Sequence, residues 1–152
     1  MKRLLTVLLV VCIGGAAVQA AEPWLIVGGE LLGGTLGGAV GAVGAIALVG
    51  AVGPHLESAT AKTALVLSSI TLGCGLGGGA GVLASTALMG VEGNTAGALL
   101  GGLIGGVLAA LTQPIVHSLG ISENVAEFLE FAAMPIIPAI AATIGFGWAR
   151  SD

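Results

Sequence analysis

The chain carries little charge and few aromatic side chains. Only 8% of its 152 residues are Asp, Glu, Lys or Arg, only 3% are aromatic, and tyrosine is absent. A soluble domain carries charge on about a quarter of its residues, so this composition cannot supply a surface that faces water throughout. Because 56% of the residues are hydrophobic and the mean hydropathy is +1.10, we expect lipid to surround much of the chain.

Basic residues and cysteines are scarce as well. With four Lys and Arg against eight Asp and Glu, the chain has no basic surface for a nucleic acid. Cys12 and Cys74 predict no disulfide in the mature chain. A phosphate-binding glycine loop, a nucleophile elbow and a CxxC motif are all missing, so we expect no enzyme and no bound cofactor or metal. Few aromatics and no period-two alternation argue against a β-barrel.

Glycine, by contrast, is abundant and regularly spaced, with 28 residues in the chain. Residues four apart lie almost above one another on an α-helix, so a glycine at every fourth position leaves a bare groove that a second helix can enter. Helices packed in this way cross at right-handed angles of about −40°. The predicted helix-packing residues form three glycine series: first Gly29, Gly33, Gly37 and Gly41; second Gly73, Gly77 and Gly81; third Gly93, Gly97, Gly101 and Gly105.

Residues 1–20 are typical of a secretory signal peptide. Lys2 and Arg3 precede an apolar run, and small residues lead to a predicted cleavage site after Ala20. The alternative is an uncleaved first membrane helix. Both interpretations leave Glu22 on the periplasmic side of a bacterial inner membrane.

Four apolar stretches follow and predict one all-α membrane domain over residues 21–152, an integral helical bundle. The predicted spans cover about 25–53, 65–90, 95–113 and 131–148. The short turn at 91–94 predicts that the second and third spans form an antiparallel hairpin. An even number of spans puts both mature ends on the same side of the membrane.

The prolines predict where these helices end or bend. Pro54 and Pro114 follow the first and third spans and are expected to end them, whereas Pro135 and Pro138 predict a kink or an unwound turn in the last span.

The two halves of the chain also resemble each other. The first and third series begin 64 residues apart, at Gly29 and Gly93, and each leads to a proline, a nearby histidine, a polar link and a further span. Duplication of one helical hairpin would explain this repeat. Chance similarity between two glycine-rich segments is the alternative.

Through Gly29-Gly33-Gly37-Gly41 and Gly93-Gly97-Gly101-Gly105, the chain resembles glycine-zipper membrane proteins of bacterial envelopes. The resemblance is one of GxxxG pattern over the first three spans and points to no named family. Envelope lipoproteins and oligomeric channels both belong to this broad class. The resemblance therefore implies close helix packing and no single activity.

Glu30 is the one acid placed inside a glycine series. A charged side chain in hydrocarbon costs roughly 3 kcal/mol or more and by default suggests a functional site, here for the passage of a proton or cation. The alternative is that the first helix is longer than the membrane is thick, and this alternative is what we expect from the sequence. Glu30 would then lie among the lipid headgroups.

Other polar residues cluster in the predicted links. His55 and His117 suggest a two-histidine metal or proton site, but no third ligand is evident, so we expect solvated link residues. Ser122 is expected to cap an amphipathic helical turn that runs into the last span. The acids of that turn are expected to form a solvated face rather than a cation-attracting mouth: Glu123, Glu127 and Glu130.

Together these features predict a small multi-pass membrane protein of the bacterial envelope. We expect a structural or accessory component that contacts the lipid bilayer and self-associates through its glycine faces. One alternative is an oligomeric pore or transporter subunit for small cations or protons, and another is a secreted membrane-active peptide. The expected location is the inner membrane with both mature termini periplasmic, the outer membrane being the alternative. No small-molecule ligand is indicated.

Overall fold

The structure, a computed structural model, describes residues 23–120 and 122–148, which are almost entirely helical. Each of its four long helices is long and apolar enough to cross a membrane. The helices are α1 (Pro23–Val52), α2 (Ala59–Met89), α3 (Thr95–Ser118) and α4 (Glu123–Gly147), and a 3-10 turn (Gly53–His55) follows α1. The predicted all-α bundle of four apolar spans is thus confirmed. The predicted signal peptide at 1–20 lies outside the described residues.

The helices pack as a ring in chain order. α1 packs mainly against α2, and α3 mainly against α4. Contacts of α2 with α3 and of α1 with α4 close the ring, and α2 also touches α4 across its middle. Short connections make successive helices antiparallel. We call the end that holds Trp24, the 90–94 turn and Trp148 the tryptophan end, and the end that holds residues 56–58, 119–120 and 122 the loop end.

Prolines disturb the helices less than the sequence predicts. Pro114 does not end α3, which continues to Ser118, and α4 is a continuous α-helix through Pro135 and Pro138. The prediction that Pro114 ends a helix is therefore wrong, and of the two outcomes predicted for Pro135 and Pro138, a kink or an unwound turn, the unwound turn does not occur. A proline removes one backbone donor, but a helix in a packed apolar bundle has no water competing for its remaining hydrogen bonds, so it continues.

One helix begins before its predicted span. α2 begins at Ala59 and not near residue 65, because polarity marks the edge of a membrane span and not the end of a helix, whereas α4 begins at Glu123, directly after the predicted cap. The hydroxyl of Ser58 accepts a hydrogen bond from the Ala61 N–H at 3.5 Å and caps α2. Ser122 occupies the same position before α4, but its side chain makes no capping bond, so that part of the cap prediction is wrong.

The bundle has small residues inside and large residues outside. Among the residues that the structure describes, eight of the fourteen buried hydrophobic residues are alanine. Large apolar side chains point outward instead, as Leu32, Val40 and Ile104 show, each more than 60% exposed. Proteins in water bury such residues first, so this exterior is suited to lipid.

Glycine backbones lie in direct contact between α1 and α2. A Cβ added at Gly37 would collide with the carbonyl oxygen of Gly77, and a Cβ added at Gly77 would collide with that of Gly37. The first series thereby faces the second, and the third faces α4. The remaining pairs are Gly33 with Gly81, Gly41 with Gly73, Gly97 with Gly145, Gly101 with Ala141, and Gly105 with Ile137 and Pro138; Gly29 and Gly93 meet the side chains of Met89 and Phe146.

The two hairpins make equivalent contacts. Gly33 meets Gly81, and 64 residues further along the chain Gly97 meets Gly145. The same offset relates the two serines that precede α2 and α4. This shared register agrees with the hypothesis that one hairpin was duplicated.

The backbone contact between Gly37 and Gly77 can be tested by adding a Cβ at Gly37. Gly37→Ala places a methyl group against a backbone carbonyl that cannot rotate away, so we expect a loss of stability of about 1–3 kcal/mol. Gly44 is the matched control, because a Cβ added there meets nothing within 4 Å, and Gly44→Ala should be neutral or stabilising by up to about 1 kcal/mol. Unfolding in mixed micelles, followed by circular dichroism, measures both. Equal effects of the two substitutions would contradict the contact.

Candidate intramembrane polar site

Glu30 lies inside the bundle. Its side chain is 1% exposed, and it belongs to a buried stripe of α1 that continues through Gly34 and Gly38. The other helices therefore enclose Glu30, and its depth in the membrane, expected at the headgroups, stays a prediction. All faces of α1 are apolar, so the sequence did not reveal which face turns toward the other helices.

The contacts of the next two turns of α1 identify the residue of α4 that faces Glu30. A Cβ added at Gly38 would lie 3.0 Å from Pro135, and a Cβ added at Gly34 would lie 2.9 Å from the Cβ of Ala139. The two helices are antiparallel and step by four residues at each contact. One further turn along both helices brings Glu30 level with Thr143.

α2 contributes a second threonine by the same register. The Cβ added at Gly34 would also lie 2.9 Å from Cγ2 of Val82, and one turn further Glu30 is level with Thr86. Antiparallel packing of α1 on α2 again accounts for the step. We call Glu30, Thr86 and Thr143 the polar layer.

The polar layer is buried on all three helices. Thr86 is 2% exposed and Thr143 is 9% exposed. The Thr86 hydroxyl donates to the carbonyl oxygen of Leu83 at 3.0 Å, whereas the Thr143 hydroxyl has no hydrogen-bond partner among the described residues. An unmatched buried hydroxyl costs about 1–3 kcal/mol. The layer therefore combines a carboxyl group with a hydroxyl that is free to bind.

A cavity of about 440 Å³ adjoins the layer at the tryptophan end. Its lining includes Thr86, Glu92, Thr95 and the ring of Phe146. The neighbouring turn is held in place by Asn94, whose N–H donates to the Phe146 carbonyl oxygen at 3.1 Å and whose Oδ1 accepts from the Gly97 N–H at 2.9 Å. Thr86 is the one residue of the polar layer that lines this cavity; Glu30 and Thr143 do not line it.

At the loop end, His117 lies beside Glu130. Nε2 of His117 is 3.3 Å from Oε1 of Glu130, which is ion-pair range; that oxygen makes no hydrogen bond within the described residues. Glu123 and Glu127 are exposed, as predicted for a solvated face, but the Glu130 side chain is only 14% exposed. His55 is exposed, and no group of three or more His, Cys, Asp or Glu in the described ranges could hold a metal ion.

A second set of glycines packs the bundle and was missed by the sequence reasoning. These glycines follow directly on members of the three series or lie between them: Gly34, Gly38, Gly75, Gly78, Gly79, Gly102 and Gly106. Gly75 and Gly102 meet backbone to backbone and hold α2 against α3. The signal that could have revealed this second set is the repeated glycine pair, because neighbouring residues on a helix point about 100° apart and so provide two bare faces.

No family model, curated protein or solved structure matches this chain.

Proposed function

We propose that this protein is a structural or accessory component of a bacterial envelope that self-associates within the membrane. The observation that carries the proposal is a groove of about 880 Å³ on the lipid-facing side of the α1–α2 pair. Glycines such as Gly37 and Gly77 form its floor, and Leu36, Leu76 and Leu88 form its walls. An apolar helix of a second copy fits a groove of this chemistry.

The groove is the outer side of a contact that the bundle already uses. All three glycine series face a neighbouring helix of the same chain. A second copy would therefore bind the outer, lipid-facing side of the α1–α2 contact. Ala80 and Ala84 leave the α2 side of the groove shallow and exposed. Small residues at this surface allow a second backbone to approach closely, which is the main source of helix affinity in hydrocarbon.

We place the protein in the inner membrane with the tryptophan end in the periplasm. Trp24 and Trp148 lie at this end and are 65% and 82% exposed, as suits residues at a membrane interface. The orientation itself rests on the predicted leader. A cysteine introduced within residues 54–64 that reacts with an impermeant maleimide from the periplasm would contradict it.

Filling the groove tests self-association. The double variant Ala80→Leu, Ala84→Leu should weaken dimer formation on the order of tenfold. The larger side chains would occupy the groove and reduce the free energy of association by about 1–3 kcal/mol. Ala47→Leu is the control, since Ala47 is exposed on α1 and does not line the groove. Sedimentation equilibrium in mild detergent and crosslinking in membranes measure the association. A parent protein that is monomeric in both would overturn the proposal.

A second candidate function is a pore or transporter subunit for small cations or protons. The burial of Glu30 within the bundle favours it, because intramembrane acids commonly mark ion or proton pathways. Purified protein in liposomes should then conduct Na⁺ or H⁺, Glu30→Gln should remove the flux, and Glu57→Gln in the exposed link should not. Absence of flux from the parent protein would exclude this candidate.

A further inference from the structure

We propose that the loop-end half of the α1–α2 pair binds one anionic phospholipid, with an acyl chain between the two helices and the phosphate at Lys62. The inference goes beyond the structural role proposed above, because the groove for a second copy lies further toward the tryptophan end. It rests on three properties of this region: its shape, its charge and an unpartnered hydroxyl group.

Two cavities lie between α1 and α2 near the loop end, and their depth matches one leaflet of a membrane. The deeper cavity has about 320 Å³, and its lining includes Gly44, Leu65 and Gly73. The outer cavity has about 420 Å³, and its lining includes Gly50, Lys62 and again Leu65. From Lys62 to Gly73 the axis of α2 advances about 16 Å, close to the roughly 15 Å of hydrocarbon in one leaflet. A lipid chain fits this length, whereas a helix of a second copy crosses both leaflets.

Glycines keep both cavities open without packing against another helix. A Cβ added at Gly44 or Gly50 meets nothing within 4 Å, in contrast to the glycines of the three series. The walls of the deeper cavity include Leu48 and Leu72, which are about half exposed. Apolar walls beside a bare glycine surface suit a hydrocarbon chain, which gains dispersion contacts along its length.

The outer cavity carries a positive charge. Lys62 lines it and is the sole Lys or Arg within residues 23–120 and 122–148. Its ammonium group makes no ion pair with those residues, and the acid nearest to it in sequence, Glu57, is exposed and lines neither cavity. A lysine at the membrane surface attracts anionic headgroups. A lipid phosphate is therefore the partner that the charge and position of Lys62 favour.

Ser69 supplies a polar group deeper in the same region. It lines the deeper cavity and lies on the same face of α2 as Lys62, about 10 Å further along the axis, since seven residues make almost two full turns. The side chain is 5% exposed, and its hydroxyl has no hydrogen-bond partner in the described part of the chain. The ester carbonyl oxygens of a phospholipid lie on the hydrocarbon side of its phosphate. One of them fits as the acceptor that the Ser69 hydroxyl lacks.

The test compares two lipids by the unfolding midpoint of the purified full chain in mild detergent. Phosphatidylglycerol has one net negative charge and phosphatidylcholine has none; both are added with identical acyl chains at constant ionic strength. A ligand that binds only the folded state raises the midpoint with its concentration. Half of the maximal rise should need about fivefold less phosphatidylglycerol than phosphatidylcholine, as one lysine at the membrane surface contributes.

Variants assign the effect to each part of the site. Lys62→Gln should remove the preference between the two lipids, and Lys62→Arg should keep it. Ser69→Ala should weaken the binding of both lipids about fivefold, as expected for one lost neutral hydrogen bond, because both carry the ester group. Gly44→Leu fills the deeper cavity and should remove the response to either lipid.

Three control variants should leave the lipid response unchanged. Glu57→Gln changes an exposed acid of the same link. Gly28→Leu makes the same substitution as Gly44→Leu at another glycine where a Cβ meets nothing within 4 Å, and Gly28 lines neither cavity. The double variant Ala80→Leu, Ala84→Leu blocks the groove for a second copy, so its unchanged lipid response separates this site from self-association.

Any of four results would overturn the proposal. The first is a parent protein that responds equally to the two lipids or to neither. The second is a preference for phosphatidylglycerol that persists in Lys62→Gln. The third is an equal rise with glycerol 3-phosphate, which has no acyl chain and would indicate a site for free phosphate. The fourth is an unchanged lipid response in Gly44→Leu or, should that variant fail to fold, in Gly50→Leu, which fills the outer cavity.

Discussion

Direct contact between helix backbones is the constraint on which this structure depends. At Gly37 and Gly77 the carbonyl oxygen of each glycine lies where a Cβ of the other would be. The α-hydrogens in that space point at the carbonyl oxygens, a geometry worth about 0.5–1 kcal/mol per contact. Glycine costs a helix in water about 1 kcal/mol relative to alanine. Where hydrocarbon surrounds the helix, no water competes for its hydrogen bonds, and the gain from close approach decides the balance.

The same constraint explains how four helices close into a ring. Each helix packs against the helices on both sides of it in the ring, and consecutive residues on a helix point about 100° apart. A glycine pair therefore serves both neighbours: Gly37 faces α2 while Gly38 faces α4, and Gly101 faces α4 while Gly102 faces α2. Because small residues occupy these inner positions, most leucines, isoleucines and valines of the described helices face outward. A surface of that kind is stable in lipid and would aggregate in water.

Much of this fold was predictable from the sequence, because it depends on features that are local in the chain. Apolar runs predicted four spans, and the spacing of the glycine series predicted positions that do lie at helix contacts. Errors arose where a neighbouring helix decides the outcome. The helix α3 continues through Pro114, a residue that commonly breaks a helix in water. Ser122 occupies the N-cap position of α4 but makes no capping hydrogen bond. Glu30 was expected among headgroups because the first helix is longer than the membrane is thick. Its burial depends on the register of α1 against α2 and α4, which a helix that is apolar on every side does not reveal.

Glu30 is an acidic residue on an inner face of α1, and its position follows from the backbone contacts of the next turns of the helix. Those contacts are therefore the claim to test first. In a nuclear Overhauser experiment on the protein in micelles, the α-protons of Gly37 and Gly81 should give a strong cross-peak, because a Cβ at Gly37 would lie 2.9 Å from the Gly81 Cα. If the α-protons of Gly37 show cross-peaks only within α1 or to lipid, the helices do not touch through their backbones and the account is wrong.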